Sequence, residues 1–109
     1  MIEVLLGSEY AEKVLVFLSV RGKGYPSEIA AFFDADLATI QNQLKKFEDG
    51  GVVVSFRSGR TRVYEFNPAY PFLTELMALL NRALLFYPPQ EVERLKMNRR
   101  RPRRTGKPL

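Results

Sequence analysis

Residues 36–66 hold a concentration of amide, hydroxyl and basic side chains that is suited to binding chemistry. The segment reads DLATIQNQLKKFEDGGVVVSFRSGRTRVYEF. Asn and Gln carry a donor and an acceptor together, which suits the edge of adenine, whereas Lys and Arg suit phosphate. These residue types indicate recognition of nucleic acid and need no bond to be made or broken.

A helix is predicted to position the first half of these side chains. Leu37, Ile40, Leu44 and Phe47 recur at the three- and four-residue intervals that place side chains on one helical face. The opposite face then carries Ala38, Thr39, Asn42, Lys45 and Lys46, with Gln41 and Gln43 on its flanks. We expect the amides to meet bases or phosphates, and the two lysines to meet phosphate.

Both ends of this helix carry the expected signals, and a hairpin follows it. Asp36 can accept an unpaired backbone N–H of the first turn, and the pair Gly50 and Gly51 can end the helix. The apolar runs VVVSF and RVYEF then predict two strands with Gly59 at the tip between them. The polar residues of this hairpin are Arg57, Ser58, Arg60 and Arg62. A merely solvated sheet edge is the simpler interpretation.

Several functions are excluded or disfavoured by composition. The chain of 109 residues has 46% hydrophobic and 27% charged residues, which suits one globular domain. It has no Cys and no His, so disulfides, soft-metal sites and the commonest general base are absent. Asp34 and Asp36 fit helix caps better than a metal pair, since no further ligand accompanies them. We expect neither an enzyme nor a cofactor, because nothing pairs a nucleophile with a base.

The net charge of +5 is unevenly distributed along the chain. Up to Glu93 there are 9 Lys and Arg against 12 Asp and Glu, whereas the remaining residues carry 8 basic side chains and no acidic one. Between Leu37 and Tyr64 there are 5 basic and 2 acidic residues. The argument for nucleic acid must therefore rest on this local positive segment and not on the overall charge.

Two helices are predicted before residues 36–66. Ser8 can cap the first, which should end near Val20, and a turn of sequence RGKG follows. Pro26 begins the second, PSEIAAFF, and a short turn at Asp34 leads into the helix described above. Such a pair is typical of a helix-turn-helix. The early apolar cluster is too short for a secretory signal, so a cytoplasmic location is expected.

A further helix, FLTELMALLNRALLF, carries more apolar surface than one small core needs. One stripe contains Leu73, Met77, Leu80 and Leu84. The second stripe, predicted to form a homodimer interface, contains Phe72, Leu76, Leu79, Ala83 and Phe86. The first helix is a further candidate for that interface. A helix covered on both sides within one chain is the alternative.

The last residues of the chain are predicted to lie outside the folded domain. Val92 and Leu95 favour one or two more helical turns, whereas residues 98–109 have no apolar face, two prolines and dense positive charge. We therefore predict a domain over residues 1–97 and a basic, disordered tail over residues 98–109. Such a tail can neutralise phosphates without choosing a sequence, or can simply aid solubility.

The segments SEIAAFF, TIQNQLKKFEDGGVV and SGRTRVYEFNP resemble those of ArsR-like winged helix-turn-helix regulators. The resemblance covers residues 5–85 and implies a mainly α fold with a small β-hairpin (α+β) and a C-terminal dimerisation helix. It implies a recognition helix at residues 37–47 and the hairpin as wing. It would place Ala38, Thr39, Gln41, Asn42 and Lys46 at the major groove, and the wing arginines on the backbone or in the minor groove.

The chain departs from the metal-sensing members of that family, because it has neither Cys nor His. A closer resemblance is to small stand-alone members, often encoded near nucleotidyltransferase genes, whose later helix also opens with an NPxYPF-like segment. For those members an effector is usually unassigned. The resemblance therefore implies a non-metal-sensing regulator without a known small-molecule effector.

Two function classes follow from these observations. The leading hypothesis is a homodimer that binds double-stranded DNA sequence-specifically and regulates transcription, with no membrane partner. The alternative is a winged helix that binds another protein, as a subunit or antitoxin-like partner, which the acidic body favours modestly. RNA binding through the tail is a weaker possibility, because no aromatic stacking platform accompanies the basic residues.

Overall fold

The structure is a computed structural model that describes residues 1–97, so the predicted disordered tail lies outside the described residues. Six helices and three strands follow one another in these residues. They are α1 (Glu3–Leu6), α2 (Glu9–Arg21), β1 (Lys23–Gly24), α3 (Pro26–Phe33), α4 (Leu37–Asp49), β2 (Val53–Ser58), β3 (Thr61–Phe66), α5 (Leu73–Leu84) and α6 (Pro89–Met97). Among these helices, none has the length and apolarity needed to cross a bilayer.

Helix α2 forms the centre of the core. Its start is capped as predicted, because the Ser8 hydroxyl accepts the Ala11 backbone N–H at 3.0 Å. Five consecutive residues, from Val14 to Leu18, are completely or almost completely buried. The chain itself covers this buried stretch, which is therefore not available to a second copy. A contribution of the other residues of α2 to a dimer interface stays a prediction.

The helix-turn-helix consists of α3 and α4, as the sequence predicts. Asp34 ends α3 with a left-handed backbone (φ 52°), and the Ala35 N–H returns to the Ala30 carbonyl at 2.8 Å. Ile40, Leu44 and Phe47 bury one face of α4. Two details differ from expectation. Leu37 is 43% exposed, because it lies in the first turn beyond the reach of the core, and Asp36 caps by position only, without a side-chain hydrogen bond.

The strands form one antiparallel sheet in the order β1-β3-β2. The predicted hairpin of β2 and β3 is present, and Gly59 has the positive φ of 65° that its tight loop requires. Strand β1 lies where the residues RGKG predict only a turn, so that prediction is wrong at Lys23 and Gly24. A two-residue strand has no detectable periodicity. Gly24 pairs with Tyr64 there, and a Cβ on Gly24 would lie only 2.7 Å from the Phe17 ring.

Helix α5 uses both predicted stripes within the single chain, at least in part. Leu80 is buried, and Met77 and Leu84 pack against the core beside it. Leu76, assigned to the second stripe, also packs against the core, and Ala83 is only 3% exposed. The assignment of Ala83 to an exposed interface is therefore corrected, because the chain itself covers this side chain.

Helix α6 is attached to α2 through Arg21. The Arg21 Nε donates to the Leu95 carbonyl at 2.6 Å, and its guanidinium lies over the rings of Phe17 and Phe32. Leu95, which the spacing places on one side of α6 with Val92, is completely buried. Arg94 adds a second cation–π contact to Phe32. These contacts hold α6 against the end of α3.

Candidate nucleic-acid interface

The outward face of α4 carries exposed polar side chains. Ala38, Gln41, Asn42 and Lys45 are all exposed, and Thr39 at the edge of the face is half-buried. Within residues 1–97 the amides of Gln41 and Asn42 make no hydrogen bond. Their donors and acceptors are therefore available to an external partner, as expected of side chains that contact base edges.

The hairpin of β2 and β3 extends from the core as a basic wing. Arg57, Ser58 and Arg60 are exposed near its tip, and Arg62 is exposed one residue into β3. Arg57 lies directly opposite Arg62 in the ladder. On the other face of the hairpin, the Lys23 ammonium lies 6.0 Å from the centroid of the Phe56 ring. The arginines thus form a positive tip on a sheet that is anchored in the core.

A hydrogen-bond relay joins α4 to the wing. The Ser55 hydroxyl on β2 donates to the Glu48 carboxylate on α4 at 2.6 Å. The Ser55 oxygen in turn accepts from the Arg62 guanidinium at 2.9 Å. The three residues are the wing–helix relay. Because each bond involves a charged group, the relay restrains the wing relative to α4.

Tyr64 closes the base of this relay. It is buried under the wing, and burial raises the pKa of its phenol above the ordinary value of 10.0. The nearby Glu48 carboxylate raises that pKa further, whereas Arg62 and Lys45 oppose the shift. The phenol therefore stays neutral at physiological pH, and the ring serves as a packed floor between α4 and the hairpin.

Two predicted contact residues on α4 lie against other parts of the chain. Gln43 lies on the Phe47 side of the helix, so its side-chain oxygen is enclosed. That oxygen has no hydrogen-bond partner within residues 1–97. The Lys46 ammonium donates to the Leu6 carbonyl at 3.1 Å and lies 4.8 Å from the Phe47 ring centroid. Lys46 therefore ties α4 to the end of α1 while it remains exposed, and its predicted contact with DNA stays a prediction. Gln43, whose oxygen is enclosed, does not belong to the outward polar face.

Lys45 keeps the position predicted for it, with one addition. Its ammonium is exposed and lies 3.3 Å from the Asp49 carboxylate one turn later. An exposed pair of this kind contributes little to stability. A stronger anion can therefore replace Asp49 at small cost, and Lys45 remains available to phosphate.

Ser55 and Glu48 are the functional residues that sequence reasoning missed. Alternation along β2 places Ser55 on the same face as the buried Val53, and that signal could have directed it towards α4. The partner of Ser55 could not be predicted from this alternation. The bond to Glu48 depends on how the hairpin folds back over the helix, which no local pattern encodes.

The carboxylates do not assemble a metal site in the part of the chain that the structure describes. No group of three or more Asp, Glu, His or Cys side chains with suitable spacing occurs there. Asp34 ends α3 and Asp36 precedes α4, so both carboxylates lie at helix ends.

Solved structures of similar architecture support this description of the fold. An apo form of a ZitR double mutant from Lactococcus lactis matches with a TM-score of 0.55 and 19% identity, over 79% of this chain and 67% of that chain. The adhesin competence repressor AdcR from Streptococcus pyogenes matches with a TM-score of 0.51 and 15% identity, over 90% and 85%. The fold is a winged helix-turn-helix. No protein-family model and no curated protein sequence matches this winged-helix chain.

Proposed function

We propose that the chain is a transcriptional regulator that binds double-stranded DNA sequence-specifically as a homodimer. Helix α4 enters the major groove, and the wing contacts the backbone or the minor groove. The observation that carries the proposal is the exposed amide face of α4, whose Gln41 and Asn42 lack partners within residues 1–97, beside an arginine wing. The fold shared with a named repressor, AdcR, supports the same class of function.

Charge supports this orientation on DNA. Every Asp and Glu of the chain lies within its first 93 residues, yet residues 37–64 carry 5 basic against 2 acidic side chains. A protein approaches DNA with its own most positive surface, because neutralisation of phosphates dominates the affinity. The acidic remainder would disfavour other approaches. The basic residues 98–109 would add affinity without choosing a sequence.

The ArsR-like, stand-alone subtype is part of this proposal. It rests on the sequence segments in α3, α4 and the wing, and on a chain with no Cys or His to bind a soft metal. DNA binding by a regulator of this subtype would not depend on a thiolate-bound metal.

The homodimer is supported by apolar residues that the chain leaves exposed around α5. Phe72 is 62% exposed, Phe86 is 60% exposed and Leu85 is 75% exposed. Leu79 is half-buried between them. Such side chains favour a second copy. Two recognition helices would then lie about one duplex turn apart, roughly 34 Å, and the operator would be an imperfect palindrome.

Selection of bound duplexes from a random pool tests the proposal most directly. The full chain is used at near-physiological salt, beside a variant that ends at Met97. We expect both to enrich the same palindromic sequence, with weaker binding by the shorter chain. Equal recovery of all sequences by both proteins would contradict sequence-specific recognition, and a motif seen only with the full chain would assign recognition to the tail.

A protein partner is the second candidate function, and α1 provides the observation that favours it. Val4 is 90% exposed and Leu5 is 71% exposed, although neither belongs to the predicted α5 interface. Light scattering after size-exclusion chromatography separates the candidates. A stable homodimer supports the regulator, whereas a monomer that assembles only with another protein supports the interaction module. A Phe86→Ser variant that becomes monomeric, beside an unchanged Val4→Ser control, would assign the dimer to α5.

A further inference from the structure

We propose that Arg57 and Arg62 form one site for a single backbone phosphate, and that Ser55 and Glu48 position Arg62 within it. The proposal rests on the proposed DNA-binding function and specifies how the wing performs it. It assigns two guanidinium groups to one ligand group, whereas the sequence alone suggests three independent arginine contacts. The two arginines are called the guanidinium pair.

The first argument is the register of the hairpin. Arg57 on β2 and Arg62 on β3 are direct cross-strand partners. Opposite residues have Cβ atoms about 5 Å apart on the same face, and like charges placed there destabilise a hairpin. No carboxylate within residues 1–97 forms an ion pair with either arginine. An anion that both guanidinium groups contact would remove this repulsion.

The second argument is the direction of the face that carries the guanidinium pair. Side chains alternate along a strand, so Val53, Ser55 and Arg57 share one face of β2. The partners of these residues on β3 include the buried Tyr64. That face is the one that Ser55 connects to Glu48 of α4. The guanidinium pair therefore lies on the α4 side of the wing, next to the groove that α4 would enter.

The third argument is the unequal restraint of the two arginines. Arg62 is held by the Ser55 oxygen at 2.9 Å, and Ser55 has already directed its hydroxyl proton to Glu48 at 2.6 Å. The Arg57 guanidinium makes no hydrogen bond within the described chain. One guanidinium is thus fixed and the other is free to adjust. A fixed group sets the position of the phosphate, and the adjustable one completes its coordination with the fork geometry of arginine.

Arg60 serves as the internal contrast. It lies in the loop beside Gly59, outside both strands, and has no cross-strand partner in the ladder. Any phosphate that Arg60 contacts is therefore a different one. This difference makes the proposal measurable, since the salt dependence of binding counts neutralised phosphates and not arginines.

The test measures the dissociation constant against salt concentration for full-length variants on the selected duplex. The variants are Arg57→Ala, Arg62→Ala, the double substitution and Arg60→Ala as control. Each single change in the pair should weaken binding on the order of tenfold at fixed salt. The salt slope should stay unchanged in each single variant, because the remaining arginine still neutralises the phosphate. It should fall by about 0.9 per protomer, and therefore by about 1.8 for the dimer, both in the double variant and in Arg60→Ala alone.

Ser55 is tested as a positioning residue on the same duplex. Ser55→Ala should weaken binding several-fold, add nothing to Arg62→Ala, and be rescued by Ser55→Thr, which retains the hydroxyl. A merely structural role would not show this dependence on Arg62. Thermal unfolding of each variant should remain close to the parent, since Arg57, Arg62 and Ser55 lie outside the buried core.

Additive slopes would overturn the site. If Arg57→Ala and Arg62→Ala each lower the slope by about 0.9 per protomer and together by about 1.8 per protomer, the arginines contact separate phosphates while the proposed function stands. If Ser55→Ala weakens binding equally with or without Arg62, the positioning role is wrong. If the parent chain binds no duplex preferentially, the proposed function fails and the phosphate site fails with it.

Discussion

Two carboxylates of this chain, Glu12 and Glu48, organise polar contacts in opposite ways. Glu12 is only 3% exposed and accepts hydrogen bonds from the Ile2 backbone N–H at 2.8 Å and from the Tyr87 hydroxyl. It thereby joins the residues before α1, helix α2 and the segment before α6. Glu48 is half-buried and bonds to Ser55, which leads outward to the exposed Arg62.

The difference shows which polar groups complete the fold and which await a ligand. Contacts around Glu12 end inside the chain, since every group involved has its partner there. The relay at Glu48 ends at an exposed guanidinium with donors to spare, beside amides that have no partner within residues 1–97. A buried polar group must be satisfied for stability, whereas an exposed one can keep its capacity for binding.

The largest expected effect is on stability, from Glu12→Ala. The change leaves the Ile2 N–H and the Tyr87 hydroxyl without their acceptor in a partly buried place, which should cost about 1–2 kcal/mol of unfolding free energy. Chemical denaturation measures it. Glu9→Ala is the control on the same helix, because Glu9 forms an exposed pair with Lys13. Equal, small losses in both variants would contradict a structural role of Glu12.

Loss of base discrimination in Asn42→Ala is the next effect in size. Removal of the exposed amide should reduce discrimination at one or two operator positions by about 1–3 kcal/mol, with unfolding unchanged. Competition binding with single-base variants of the duplex measures it. Gln43→Ala is the matched amide control, since the Gln43 oxygen is enclosed. A larger loss of discrimination in Gln43→Ala would reverse the assignment of the outward face.

The pH dependence of stability is the third effect. Burial, followed by the Glu12 hydrogen bond, raises the pKa of Tyr87 above 10.0, and burial raises that of Tyr64. Above pH 10 the unfolded phenols lose protons that the folded ones keep, so the unfolding free energy falls as the pH rises through and above that value. Denaturant titrations from pH 8 to 11 should show a shallower fall in Tyr87→Phe. An unchanged slope would argue against the buried Tyr87 contact.

The smallest expected effect is that of Arg60→Ala. One phosphate contact per protomer should disappear at the wing loop, which weakens all duplexes alike by a few-fold and lowers the salt slope by about 0.9 per protomer. Arg82→Ala is the control, because Arg82 is exposed on α5 away from the wing. Sequence-dependent weakening in Arg60→Ala would instead indicate minor-groove readout by this residue.

Local signals account for most of what could be predicted. The intervals between Ile40, Leu44 and Phe47, the cap at Ser8 and the glycine at position 59 each act over a few residues, and each appears as expected. Strand β1 and the short helix α1 were not predicted, because two- and four-residue elements depend on neighbours distant in sequence. The hydrogen bond from Lys46 to Leu6 spans 40 positions, and no local pattern predicts it.

The sequence alone determined the helix-turn-helix, the wing and the concentration of positive charge around them, because periodicity, turn chemistry and charge are local properties. Tertiary structure decided which of those residues remain available. It enclosed Gln43 and Ala83, attached Lys46 to α1 and linked Arg62 through Ser55 to Glu48. The physical reason is that packing assigns partners across long chain separations, and only side chains left without an internal partner can serve a ligand.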